Sequence, residues 1–420
     1  MTVHNSDASK VTPDFREITF APEILPKLEP SDAVLFLLQY ASHIGASDVF
    51  FEPDLNYVTI AVRRMGTIER VGAVSHEQGR QMITHIKASA GMDISERRRP
   101  CDGRWILVDH QRRLDVRINT MATLYGEDMA LRLWSRQPEG VRLEALGIPD
   151  RELSVIKSML SSPSGLVLVT GPTGTGKTTT LYSCLQFLND GTRKINTLED
   201  PIEYAIDGVR QSQANTKIGL DFAEMLRNVL RQAPDVIMIG EVRDSDTATA
   251  VVRAANSGHL VLATLHAPVA AAAVQSLLVL GAQPFFLANC LLGVISQRLI
   301  RTLCPACRVA YDISDSPATF QDLTDLIDPT AYRTIYGPGR CDACRHTGYV
   351  GRTGLFEVMS MNPELRQIIA RNGSSKEIEQ VAIRAGMIEF RRGAMLAVAH
   401  GTTSTEEILR EVPAEYLGLE

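Results

Sequence analysis

Between Ala254 and Gln297 the sequence contains no Asp, Glu, Lys or Arg. So long an uncharged stretch invites a membrane reading, but Asn256, His259, His266, Pro268, Gln275, Gln283, Pro284 and Asn289 interrupt it. No unbroken apolar run reaches the ~18 residues that a spanning helix needs, so a buried strand followed by helices is expected there. A surplus of positive charge is lacking too: 43 Lys and Arg stand against 49 Asp and Glu, a formal balance of -6. That excludes a general pull towards nucleic acid or an anionic membrane and makes any basic site local. The opening residues MTVHNSDASKVTPDF lack a basic segment followed by an apolar run and a small-residue cleavage site. The expected location is therefore the cytoplasm. No internal repeat or low-complexity segment is present.

What is present suffices for two or three cores, since the chain has 420 residues. Residues 1–30 are polar and proline-punctuated and read as a terminal arm. Ser31 offers an N-cap to DAVLFLLQYASHIGA, whose apolar spacing suits an amphipathic helix. The stretches DVFFEP, YVTIAVRR, RWILVDH and RRLDVRIN alternate, with a helical SHEQGRQMITHIKASAGM among them, so 31–136 is expected to be a small α+β domain. The Pro and Gly content of 137–148 suggests a linker. From 149 to 420, the apolar runs GLVLVT, KINTLED, VIMIGE and HLVLATLH are separated by helix-like segments, the pattern of a largely parallel sheet covered by helices. After residue 300 the composition shifts to cysteine-containing loops and terminal helices.

The chemistry concentrates in this second part. Gly171, Pro172, Thr173, Gly174, Thr175, Gly176, Lys177 and Thr178 spell a P-loop between a strand and the helix that opens at Thr179. In that context the glycines let backbone N–H groups close around phosphate oxygens, Lys177 reaches the terminal phosphates, and Thr178 can ligate magnesium. Hydrolysis also needs a group to activate water. Glu241 ends VIMIGE, and Glu199, Asp200 and Glu203 follow another strand, so these acids can share the crevice with the P-loop. His266 ends HLVLATLH and is placed to sense the terminal phosphate, whereas His259 suits a structural role.

Of the seven cysteines, Cys101, Cys184 and Cys290 stand alone, while Cys304, Cys307, Cys341 and Cys344 form two Cys-x-x-Cys pairs with 33 residues between them. In a cytosolic chain that set points to structural zinc before a disulfide, with iron–sulfur behind it. Four protein ligands would leave no open position for chemistry, so the ion would clamp a long excursion, expected at about 301–350.

Taken in order, GASDVFFEP, RRPCDGRW, LDVRINTMATLYGEDMALRL, GPTGTGKTTTLY, TLEDPIEY, LRQAPDVIMIGEVRDSDTA, GHLVLATLHA, QRLIRTLCPACR and CDACRHTGYVGRTGLFEV resemble the ATPases of type II secretion and type IV pilus assembly. The resemblance covers about residues 32–415. It implies a homohexamer in which a small PAS-like α+β domain precedes a RecA-like ATPase domain that carries a zinc-clamped insertion and C-terminal helices. It also implies ATP, Mg2+ and Zn2+, with Glu241 as the general base, Glu199, Asp200 and Glu203 as an acidic box, and His259 and His266 as a histidine box. Arg104 and Arg117 would be arginine fingers. The arginine-rich SERRRPCDGRW thus serves ATP through Arg104, while Arg97, Arg98 and Arg99 read as a solvated or interface patch without the interleaved aromatics of a nucleic-acid site.

The implied partner is an inner-membrane platform protein, with peripheral membrane association and no nucleic acid. The four cysteines resemble the assembly branch. The alternatives are a pilus-retraction or conjugative-pilus ATPase, a nucleic-acid-translocating RecA-like motor, and a nucleotide-gated scaffold. Three departures from the family pattern are visible: a short N-terminal arm, Ala-Pro-Val-Ala after His266 in place of a Thr-Asn-Asp run, and Arg340 where a glycine usually stands.

Overall fold

The computed structural model describes residues 22–109, 112–135, 141–215, 218–316, 319–328 and 332–418. Most of the expected arm and residues 137–140 of the expected linker lie outside the described residues. The chain divides into two compact units, Met1–Gln137 and Pro138–Glu420.

The N-terminal unit runs α1 (Pro30–His43), β1 (Ala46–Pro53), β2 (Val58–Arg64), β3 (Thr67–Val74), α2 (His76–Ser89), β4 (Cys101–Asp109), β5 (Arg112–Thr123) and β6 (Gly126–Ser135). Its six strands form one antiparallel sheet in the order β3-β2-β1-β6-β5-β4. Val34, Leu37 and Leu38 of α1 and Met82, Ile83 and Ile86 of α2 share a core with Val49, Phe51, Ile60, Ile118 and Leu131 of the strands. Full burial of each such side chain is worth about 1.5–3 kcal/mol. The α1 cap differs from the sequence reading: Glu29 is the N-cap and Pro30 opens the helix. Proline, with φ preset and no N–H to satisfy, starts the helix ahead of the serine. Ser75 does cap α2, accepting from Gln78 N at 3.2 Å.

The C-terminal unit opens with a 3-10 turn at Leu143–Ala145, whose Leu143 is buried. It continues with α3 (Asp150–Leu160), β7 (Gly165–Thr170), α4 (Lys177–Leu188), β8 (Ile195–Glu199), β9 (Arg210–Gln213), α5 (Phe222–Val229), β10 (Val236–Ile239), α6 (Ser245–Asn256), β11 (Leu260–Leu265), α7 (Ala270–Val279), α8 (Pro284–Cys290) and β12 (Leu291–Leu303). A short hairpin of β13 (Val309–Asp312) and β14 (Thr334–Gly337) precedes β15 (Tyr349–Ser360), α9 (Pro363–Ala370), α10 (Ser375–Arg384), α11 (Phe390–Ala399) and α12 (Thr405–Glu411).

The seven-stranded sheet has the order β15-β12-β7-β11-β10-β8-β9 and is parallel except for the β12–β15 pair. Every residue of β7, β10 and β11 is buried, as strands covered on both faces require. The uncharged stretch supplies β11, α7, α8 and the first half of β12. Its last residues, 291–297, are strand where helix was expected, because a short apolar run carries no period that separates a buried strand from a buried helix. Among the described residues no helix is long and apolar enough to cross a membrane.

Candidate active site

In a parallel sheet every strand delivers its C-terminal end to the same edge. The register sets Leu265 opposite Thr170, so His266 leaves β11 beside Gly171, which leaves β7. The same register sends His259 to the other end: its carbonyl accepts from Gly165 N, and its Nδ1 lies 3.1 Å from Ala254 O. The two histidines of the expected box are therefore separated by the full length of β11.

The P-loop turns on Gly171, Gly174 and Gly176, at φ 144°, 80° and 88°. The last two values lie in the left-handed region that side chains other than glycine's rarely adopt. Lys177 Nζ donates to Gly171 O and Pro172 O, each at 2.8 Å, and lies 3.4 Å from His266 Nδ1. On its far side His266 Nε2 stands 2.9 Å from Glu241 Oε1. A neutral imidazole satisfies both contacts, accepting from Lys177 at Nδ1 and donating to Glu241 from Nε2. Glu241 also pairs with Arg243, whose guanidinium is held more basic than usual mainly by that bond. Burial lowers the Lys177 ammonium to about 8, and the charge of Glu241 offsets part of that effect. The hinge of Glu241 is tied to β11, since Thr264 Oγ1 donates to Gly240 O and Val242 N to Thr264 O. A hollow of about 560 Å³ beside Glu241, Arg243 and His266 is walled by α7 residues that include Gln275 and Ser276.

The three acids after β8 have different surroundings. Glu199 is buried and accepts from Tyr182 Oη, from Thr197 Oγ1, and from Gln211 Nε2 at 3.1 Å. Tyr182 stands on the helix that follows the P-loop, and its hydroxyl also accepts from Glu203 N at 3.3 Å. Asp200 is exposed and lies within electrostatic reach of Arg243. Thr178 and Thr179, in the first turn of α4, are exposed. Sequence reasoning missed Tyr182, Gln211 and Gln297. Gln297 donates to Thr175 O, and no motif in the sequence marks it.

In the N-terminal unit, Arg104 pairs across β4–β5 with Arg117, Arg117 across β5–β6 with Arg132, and Arg132 across β6–β1 with Asp48. Directly opposed residues share a face, so three arginines on β4, β5 and β6, with Asp48 of β1 beyond them, stand in one row across four strands. Like charges so placed cost stability, and acids offset the cost. Asp115 takes both Nε and Nη2 of Arg104, while Asp48 lies 3.3 Å from Arg132 Nε and 3.5 Å from Arg63 Nε. Arg132 was not singled out in the sequence. Arg98 is almost fully exposed, and the loop holds its shape through Glu96, which accepts from the N–H groups of Arg98 and Arg99.

The sulfurs of Cys304, Cys307, Cys341 and Cys344 all lie within 4.8 Å of one another. Burial opposes ionisation of Cys344, but hydrogen bonds at Cys341 and Gly348 outweigh it and hold this thiol near 6. Burial and the neighbouring thiols push Cys307 up to about 12. Four sulfurs this close together, supplied by two Cys-x-x-Cys pairs, fit the tetrahedral thiolate set of a soft divalent cation. A Cβ on Gly339 would sit 1.8 Å from Cys307 O, so only glycine lets the two cysteine loops approach. Arg340 is not among the residues at positive φ, and the left-handed turn falls instead on Arg345 and His346, at 56° and 60°. Cys184 and Cys290, pushed to about 12 by burial, have no part in this cluster.

With this geometry in view, the likeness to known proteins can be read. A family model described as Type II/IV secretion system protein matches residues 32–410. The chain is 39% identical to the type II secretion system protein HxcR of Pseudomonas aeruginosa over 395 residues, 93% of this chain and 80% of that protein. It is 39% identical to the type II secretion system ATPase E of Vibrio cholerae over 366 residues, 87% of this chain and 72% of that one. The fold is similar to that of the Legionella pneumophila ATPase DotB, with a TM-score of 0.65, 22% identity, and coverage of 93% of this chain and 95% of that one. The matched span takes in both units, the P-loop and the cysteine cluster, so the chain belongs to the Type II/IV secretion system protein family and is an ATPase of it.

Proposed function

We propose that this chain is the homohexameric ATPase that drives pseudopilus or pilus growth in a type II secretion or pilus-assembly apparatus, acting through an inner-membrane platform protein from the cytoplasmic side. The observation that carries the reading is the relay Lys177–His266–Glu241 across the ends of β7, β11 and β10. In it, N–H groups of residues 173–179 cradle the phosphates, and the Lys177 ammonium neutralises their charge. Glu241 is the general base that orients and deprotonates water, held in place by His266 and Arg243. A bound magnesium would supply positive charge against the phosphates in this crevice. The Thr178 hydroxyl and the carboxylates of Asp200 and Glu203 are the hard oxygen donors it requires. Glu199, with both oxygens engaged, acts by positioning the acidic loop against α4. Arg104 and Arg117 are the fingers that complete the site of a neighbouring subunit, where charge spreads over the phosphoryl oxygens. Cys304, Cys307, Cys341 and Cys344 would hold a zinc ion with all four positions filled, closing the excursion between β12 and β15 without a part in hydrolysis.

Subunit mixing tests the reading. Lys177→Ala and Arg117→Ala chains, each inactive alone, are expected to recover part of the wild-type turnover when mixed, because a mixed ring contains intact composite sites. Failure to recover any turnover, with the chain monomeric at working concentration, would remove both the ring and the fingers.

A further inference from the structure

Gln297 stands one residue beyond the last paired position of β12 with β7, where Ser296 faces Thr170, and so runs beside Gly171. It is 2% exposed. Its Nε2 donates to Thr175 O at 2.7 Å, and its Oε1 accepts from Thr180 Oγ1 at 2.7 Å. Its backbone oxygen lies 2.4 Å from where a Cβ on Gly171 would stand, and Nε2 lies 3.3 Å from where one on Gly176 would. Three other carbonyls of the loop are satisfied from nearby in the chain. Gly171 O and Pro172 O accept from Lys177, and Gly176 O accepts from Thr180 N. The Thr175 carbonyl is held from another strand.

We infer that Gln297 is a positioning residue for phosphate binding: it anchors the Thr175 carbonyl outward and thereby turns the Gly176 N–H into the cradle. A trans peptide sets C=O and N–H on opposite sides, so fixing one aims the other. The Thr180 hydroxyl completes the device. With its oxygen taken by that donor, the amide has its NH2 group left for Thr175. Without the anchor the peptide between Thr175 and Gly176 is free to rotate, and the cradle loses an N–H that would otherwise face a phosphate oxygen. This inference rests on the P-loop reading proposed above.

The test uses Gln297→Met, close in shape but without polar groups, and Gln297→Asn, which keeps an amide one carbon too short. Both are compared with the wild type and Lys177→Ala in steady-state ATP turnover and in calorimetric titration with ADP and with inorganic pyrophosphate. In either Gln297 variant KM for ATP and Kd for both titrants should rise about tenfold while kcat falls by less, the scale of one well-placed hydrogen bond. Pyrophosphate carries neither base nor ribose, so its weakening locates the defect at the cradle. Affinities within about twofold of wild type overturn the inference whatever happens to the melting temperature, since a merely structural amide moves only the latter. If Lys177→Ala weakens binding and the Gln297 variants do not, the Gln297 assignment alone falls. If Lys177→Ala also binds normally, the P-loop reading falls with it. Should the Gln297 variants not fold, Thr180→Val decides, with an expected rise in KM of about threefold and overturn if there is none.

Discussion

In the C-terminal unit the charged groups of the candidate site stand at the ends of parallel strands, whereas in the N-terminal unit a row of charged groups crosses the face of an antiparallel sheet. Parallel strands bring Lys177, His266 and Glu241 together because each follows its own strand by a residue or a short loop. The antiparallel row of Arg104, Arg117, Arg132 and Asp48 depends on three registers holding at once. The first arrangement tolerates errors elsewhere in the chain. The second is lost by a slip of one residue, which turns every side chain of a strand to the other face.

The comparison is broken most directly at the row. Arg117→Ala should lower turnover by about 10³ or more if the residue is a finger, while relieving like-charge repulsion within the sheet. A turnover close to wild type, measured at saturating ATP, would leave the row without a part in hydrolysis. At the strand ends, Glu241→Gln should cost about 10²–10⁴ in turnover and leave ATP binding intact, the range expected for removal of a general base. Persistence of wild-type turnover in that variant would move the base elsewhere.

Smaller effects sharpen the contrast between the site and its supports. Removal of zinc by a chelator, or Cys341→Ser, should release about one metal equivalent per chain and raise hydrogen exchange across 304–348 while the P-loop still binds nucleotide. Protection unchanged in that segment would mean the four thiols hold together without an ion. The smallest effect is a pH dependence. Lys177 is lowered from 10.5 to about 8 in the nucleotide-free chain, chiefly by burial, so it is charged below about pH 8 and loses its proton above. Phosphate charge restores the proton, so ATP binding should take up a proton, and weaken, as the pH rises from about 8 towards 10.5. Calorimetry in buffers of different ionisation enthalpy would show it; an enthalpy independent of buffer at pH 8.5 would remove Lys177 as the group involved.

How much could be read in advance follows the same division. The P-loop, Glu241 and His266 are legible because each sits next to an apolar strand in the sequence, and the cysteine pairs because their spacing is itself the signal. Arg132 is hidden, since nothing local in MALRL says that it will stand opposite Arg117. Gln297 is hidden for a different reason: a buried amide has no motif, and its partners Thr175 and Thr180 lie more than a hundred residues away. His259 misleads in the opposite sense, because proximity to His266 in sequence becomes the length of a strand in space. The Ser31 cap failed because proline one residue earlier opened the helix first.

The uncharged stretch from Ala254 to Gln297 has one more consequence, for the bench. Trypsin cuts after Lys and Arg, and it finds neither between Arg253 and Arg298. The central strand β11, the hollow's wall in α7, His266 and Gln297 therefore leave a digest as a single long, greasy fragment, and lysine-directed cross-linkers find no amine anywhere within it. Peptide maps of this molecule built with those reagents will be coarse across β11 and α7, and pepsin or a chymotryptic cut is the way to see the centre of the sheet.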